Sequence, residues 1–306
     1  MNIFWHINKE INGNLMKNLN HKQRALLYTI DKLHERDLSS RFMIMKSLFL
    51  LAHVEKIDKL IKFYNFFPYS YGPFSNVCYT DISSLQKEGY IIEQEKRFEL
   101  TEKGKTFLKG MNPKVTLKIK RVAGKFDSDK EIMAYVYRTF PDYTVKSKLL
   151  CPQEETKQAS SREPGLFTIG YDGRDIDLFL NVLIQNAIDV VVDVRKNPFS
   201  MKFDFTKNSL KNYLENSEIR YLHIPELGIE GEKRKDLLTL KDYEKLFEDY
   251  EKTTIKENPE LLDKIVELSR SHRVALMCFE ADVNMCHRGV IARNIIQKEN
   301  IEVLNI

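Results

Sequence analysis

Residues 188–194 read Ile-Asp-Val-Val-Val-Asp-Val, and this run constrains the fold more than any other segment. Three β-branched residues in succession favour an extended strand. Apolar side chains on both of its faces need cover on both sides, the condition of a parallel sheet between helices. The flanking sequence supplies that cover. Strand-like runs at 166–170, 220–224, 274–279 and 302–306 alternate with helix-spaced runs at 176–186, 207–216, 241–251, 259–272 and 288–297. Such alternation predicts a doubly wound, mostly parallel α/β sheet, which binds ligands outside the carboxyl ends of its strands.

Polar residues gather at those strand ends. The first strand is followed by Tyr171, Asp172 and Arg174, the second by Asp193, Arg195 and Ser200, the third by His223 and Glu226. The fourth is followed by Cys278, Glu280 and then Cys286-His287-Arg288 at a helix start. Arg174, Arg195 and Arg288 point to an anionic ligand, because guanidinium matches phosphate or carboxylate in a two-pronged geometry. A helix start adds free amides that favour an anion at Arg288. The shared pocket is therefore expected to place a phosphate or nucleotide against Arg288 and at least one of the other two arginines. Its alternative is that a carboxylate partner already saturates each arginine.

Glu280, at the end of an apolar strand, is a candidate acid, base or nucleophile, as is Asp193. The other reading of Glu280 is a turn cap. Asp193 and Arg195 are expected to part, one to each face, if the strand runs through both, with a structural ion pair as the alternative. Cys286 and His287 join the catalytic candidates, whereas Cys278 is equally a core thiol. Cys278, Cys286 and His287 do not show the usual paired spacing of zinc ligands, so neither a metal nor another cofactor is expected.

The first half of the chain has a different character. Helix-spaced apolar residues run through 21–37 (Leu26, Leu27, Ile30, Leu33), 40–52 and 77–88. A charged hairpin follows across 90–101, and a further helix spans 128–140. Residues 1–150 hold 26 basic and 16 acidic side chains, a net +10, whereas the remainder is net −6. That asymmetry directs the first half toward phosphate backbones, with Lys96, Arg97 and Lys103 as the contacting cations. A lysine-rich solvated surface is the alternative. Residues 151–165, rich in Ser, Gln, Glu and Pro, are expected to link a basic module at 1–150 to the α/β domain at 166–306.

Broken apolar runs exclude a membrane span, and the N-terminus lacks the pattern of a secretory signal. Four cysteines without a disulfide framework point to a reducing compartment, so a cytoplasmic location is expected.

The segments "TIGYDGR", "VVDVRKNPFS", "YLHIPELG" and "ALMCFEADVNMCHRGVIA" together resemble the family catalogued as domain of unknown function 488, over roughly residues 166–306. The resemblance implies a fold and a pocket more than a reaction. It also implies a histidine-bearing last strand, a place this chain gives to Val303-Leu304-Asn305-Ile306. In the first half, "FELTEKG" at 98–104 resembles the second wing strand of winged-helix regulators. "YSYGPFS" at 69–75 resembles the Tyr-Gly-Pro turn of antitoxin-like Panacea domains.

Taken together, these features lead to an expected DNA-associated enzyme that acts on a nucleobase or nucleotide, for example by hydrolysing an N-glycosidic bond as a DNA glycosylase does in genome or anti-phage defence. Glu280 or Asp193 would serve the chemistry, the arginines the phosphates, and Tyr171 the extruded base. A regulator that senses a nucleotide-like anion without turnover is the second expectation, and cysteine-based sulfur or redox chemistry the third. The expected partners are DNA and a phosphate-bearing ligand, with homodimerisation left open.

Overall fold

A computed structural model describes residues 18–149, 163–235, 237–299 and 301–306. Most of the expected linker at 151–165 and the extreme N-terminus lie outside the described residues. The chain divides into two compact units: residues 1–64 with 78–136, and residues 65–77 with 137–306.

The first unit is mainly helical. It contains α1 (His21–His34), α2 (Arg41–His53), most of α3 (Asn76–Lys87), α4 (Glu102–Thr106), α5 (Pro113–Ala123) and α6 (Asp129–Thr139). Asn20 and Gln23 form a capping box that starts α1, and the Ser40 hydroxyl caps α2. The expected hairpin is β3 (Ile91–Gln94) paired antiparallel with β4 (Arg97–Leu100). Glu95 and Lys96 at its tip have φ of 49° and 65°, the left-handed pair that a tight two-residue turn needs. Ser40, between α1 and α2, bridges Arg97 and adds a minimal third strand to the hairpin.

Helix α5 is not anticipated by the sequence reading. Its signals are an Asn112 cap, Pro113 in the first turn and Val115, Ile119 and Val122 on one buried face.

The second unit is a three-layer α/β structure. Five strands, β5 (Gly165–Gly170), β6 (Val190–Asp193), β7 (Arg220–His223), β8 (Arg273–Cys278) and β9 (Val303–Asn305), form an all-parallel sheet in the order β7-β6-β8-β5-β9. Alternate strand residues face opposite cores. Phe167, Ile169, Val191, Ala275 and Met277 pack with α7 (Ile176–Gln185) and α8 (Lys207–Asn216). Leu166, Val190, Val192, Val274 and Leu276 pack with α9 (Leu240–Tyr250), α10 (Pro259–Ser269) and α11 (His287–Glu299). This is the two-sided burial that the 188–194 run demands.

The aromatic segment after α2 also belongs to this unit, although its sequence position lies in the first half. Its strands β1 (Phe67–Tyr69) and β2 (Gly72–Phe74) pair antiparallel, and Phe67 packs in the core of α7 and α8. Asp177 on α7 secures the end of the segment. Its carboxylate accepts from Ser75 Oγ at 2.7 Å and from the Asn76 and Val77 backbone N–H at 2.8 and 3.0 Å. No helix among the described residues is long and apolar enough to cross a membrane.

Candidate active site

Strand β8 lies between β6 and β5, so the loops leaving these three strands meet at one edge of the sheet. Gly170 fixes their spacing. A Cβ at this position would stand 1.9 Å from the Glu280 carbonyl oxygen, so only glycine lets the first loop pass the fourth so closely.

Asp193 and Arg195 are bonded to one another. Positions two apart on a strand share a face, so the expectation that they part fails on elementary geometry. Arg195 donates from Nε to Asp193 Oδ1 at 2.8 Å and from Nη2 to Oδ2 at 2.6 Å, with both side chains buried. The Arg195 backbone N–H and the Tyr221 hydroxyl also donate to the same carboxylate, at 3.1 and 2.7 Å. Nη1 of Arg195 donates to the Tyr171 hydroxyl and the Phe205 carbonyl, both at 3.0 Å. Desolvation lowers the basicity of Arg195, but its bonds to Asp193 and that carboxylate's charge outweigh it and raise the pKa. Tyr171 itself is buried and stacks on Phe205 at 4.2 Å. These five residues form a buried network whose polar groups bond to one another.

Arg288 is fully buried and clamps the loop after β8, donating from Nη1 to the Glu280 carbonyl at 2.5 Å and from Nη2 to the Ala281 carbonyl at 2.9 Å. Arg174 donates from Nη2 to the Ile306 carbonyl at 3.2 Å. Burial, and after it the charge of Arg288, lowers the Arg174 pKa. Among the described residues, Arg174 Nη1 and Arg288 Nε are buried without a partner. Thus Arg174 and Arg288 come together, while Arg195 is held by Asp193.

On the face of the sheet lined by α9, α10 and α11 lies a second cluster. The Glu280 side chain is 27% exposed and meets Arg234, 31% exposed, at 3.4 Å. Burial raises the Glu280 pKa, but the Arg234 charge, together with the Glu280 backbone N–H, the Cys286 thiol and His287, outweighs it and keeps the carboxyl below its usual range. Arg234, on the turn at 231–234, is a site residue that the sequence reading missed, because its loop carries no spacing signal. Behind this pair, Cys278, Cys286 and His287 are buried. His287 Nε2 lies 2.9 Å from the Val194 carbonyl, which can only accept, so Nε2 carries the proton and Nδ1 a lone pair. Arg234 Nη2 donates to that Nδ1 at 3.0 Å. The Cys278 thiol stands 3.6 Å from Glu280 Oε2 and 3.6 Å from Nδ1, and the Cys286 thiol 3.9 Å from Nδ1. Burial, reinforced by Cys278, pushes the Cys286 thiol up.

The remaining candidates have other partners. His223 donates from Nε2 to the Arg195 carbonyl at 2.9 Å and accepts from Lys207. Glu226 lines a cavity of about 320 Å³ with Lys196, Lys233, Asp249 and Tyr250. Asp172 Oδ1 accepts from the Gly173 N–H, and Ser200 Oγ from the Lys202 N–H. In the first unit, Arg97 pairs with Asp37 at 2.8 Å and Lys103 donates to the Glu88 carbonyl at 2.7 Å, leaving Lys96 exposed at the hairpin tip.

The loops at this edge are also unusually apolar for a surface. Phe199, Met201 and Phe203 after β6, Leu238 and Leu240 after β7, and Phe279 after β8 are all exposed, Met201 to 95%.

No curated protein matches the chain, and no solved structure matches it. Residues 175–295, from the cap of α7 to within α11, match the family model described as Domain of unknown function DUF488.

Proposed function

We propose that the second unit is a hydrolytic enzyme acting on a nucleobase or nucleotide within nucleic acid, with Glu280 as its catalytic carboxylate and N-glycosidic hydrolysis as its reaction class. The observation that carries this reading is the surrounding of Glu280: a half-buried carboxylate paired with Arg234 and held below its usual pKa, at a sheet edge whose loops expose aromatics and lysines. An ionised carboxylate can take a proton from water or stabilise an oxocarbenium-like centre. Phe199, Phe203 and Phe279 offer flat faces on which extruded or single-stranded bases stack, and Lys196, Lys202 and Lys233 are exposed on neighbouring loops for the phosphates. Arg174 and Arg288, each with one buried N–H left without a partner, add positive charge behind the Glu280 loop. His287, fixed in its Nε2–H tautomer, and Arg234 would orient the carboxylate.

The first unit we read as a winged-helix-like docking module. Three helices followed by a charged hairpin, with Ser40 bridged to Arg97, support that reading, and Lys96 is its most accessible wing cation.

The test is to incubate the full chain with single-stranded and duplex oligonucleotides of all four bases and to follow the products by mass spectrometry. The reading expects release of a free base or conversion of one, favouring single strands. Phe199→Ala with Phe203→Ala should weaken single-strand binding by about 1–3 kcal/mol per stacked base. Oligonucleotides left chemically unchanged by the wild-type chain would contradict it.

A further inference from the structure

We infer that Cys278, Cys286 and His287 form a binding site for a zinc-class divalent cation. The linear spacing of the three ligands hides this site. Cys286 and His287 are adjacent in sequence, yet the start of α11 turns both toward Cys278 at the end of β8.

The distances are those of a coordination polyhedron. Tetrahedral zinc with bonds of about 2.3 Å to sulfur and 2.0–2.1 Å to nitrogen sets its ligands about 3.5–3.8 Å apart. Nδ1 of His287 is 3.6 and 3.9 Å from the two sulfurs. The three ligand atoms all lie within 4.8 Å of one another. Ligating histidines characteristically give their other ring N–H to a fixed acceptor, and here Nε2 is bound to the Val194 carbonyl at 2.9 Å. The lone pair of Nδ1 is thereby aimed at the sulfurs. Two thiolates and an imidazole are a donor set for zinc in preference to magnesium or calcium.

The guanidinium of Arg234, 3.0 Å from Nδ1, marks the place as one that draws positive charge. A bound dication takes its position on Nδ1 and leaves Arg234 to Glu280, while two thiol protons pass to the buffer. The formal charges of the dication, two thiolates, the carboxylate and one guanidinium then cancel. Arg234 therefore competes with the metal for Nδ1 and is not itself a ligand. This inference does not depend on the nucleic-acid reading, because its readouts require no substrate.

The full chain, purified under reducing conditions after growth with added zinc, should carry about one zinc per chain by elemental analysis. Replacement by cobalt(II) should give the intense visible bands of a tetrahedral site and a thiolate-to-cobalt charge-transfer band, a readout that needs no variant. The double variant Cys278→Ser with Cys286→Ser should lose the band, and Arg234→Gln, which removes the guanidinium competing for Nδ1, should bind cobalt more tightly. A wild-type chain that takes up neither ion overturns the site, as does metal retained by the double variant without a thiolate band.

Discussion

Two carboxylates stand at the same sheet edge with different environments. Asp193 is buried and meets four donors from Arg195 and Tyr221, whereas Glu280 keeps an exposed edge and a single weakly placed guanidinium. Breaking a buried ion pair leaves an uncompensated charge, so Asp193→Asn should lower the stability of the sheet unit by about 3–5 kcal/mol. Hydrogen exchange of the β6 amides would register the loss. Unchanged protection with abolished turnover would make Asp193 catalytic after all. The sequence placed both residues at the edge, because strand ends can be located from apolar runs. Their division of labour depends on Tyr221, Tyr171 and Phe205, three partners brought in from other elements.

At the scale of elements, the strand and helix order of the second unit was legible because its periodicities are clean. The aromatic segment at 65–77 was not, since nothing local says which core Phe67 will enter. Its attachment through Asp177 has a measurable signature. Burial, only partly offset by hydrogen bonds from Ser75, Val77 and Asn76, pushes the Asp177 carboxyl up to about 7 from 3.8. A carboxyl whose folded pKa is raised binds its proton more tightly when folded. Its contribution is complete below about pH 4 and is lost as pH rises to about 7. The melting temperature of the sheet unit should therefore fall across that window, by an amount on the order of 2–4 kcal/mol in stability. Asp177→Asn should flatten the fall. A variant with the same pH profile as the wild type would remove Asp177 as its source. Helix α5 escaped the sequence reading for a different reason: its buried stripe of Val115, Ile119 and Val122 is narrow and set among lysines.

For the whole molecule, the proposed docking of the basic first half on nucleic acid makes a salt-dependent prediction. Binding of the full chain to DNA should weaken with salt, each neutralised phosphate contributing a slope of about −0.9 on logarithmic axes. Arg97 and Lys103 have partners inside the unit, so Lys96→Ala should lower the slope by about one, and the same change at Arg97 should do less. A flat salt dependence would turn the first unit into a protein-docking module. The central claim is that the chain turns over a nucleic-acid substrate at Glu280, and its most direct test separates binding from chemistry in one variant. Single-turnover conversion of a responsive oligonucleotide should fall about 10²–10⁴-fold in Glu280→Gln, with its affinity for the same oligonucleotide preserved. Conversion undiminished in that variant, or affinity and conversion lost in parallel, would contradict the account, the parallel loss marking the unit as a sensor that binds without reacting.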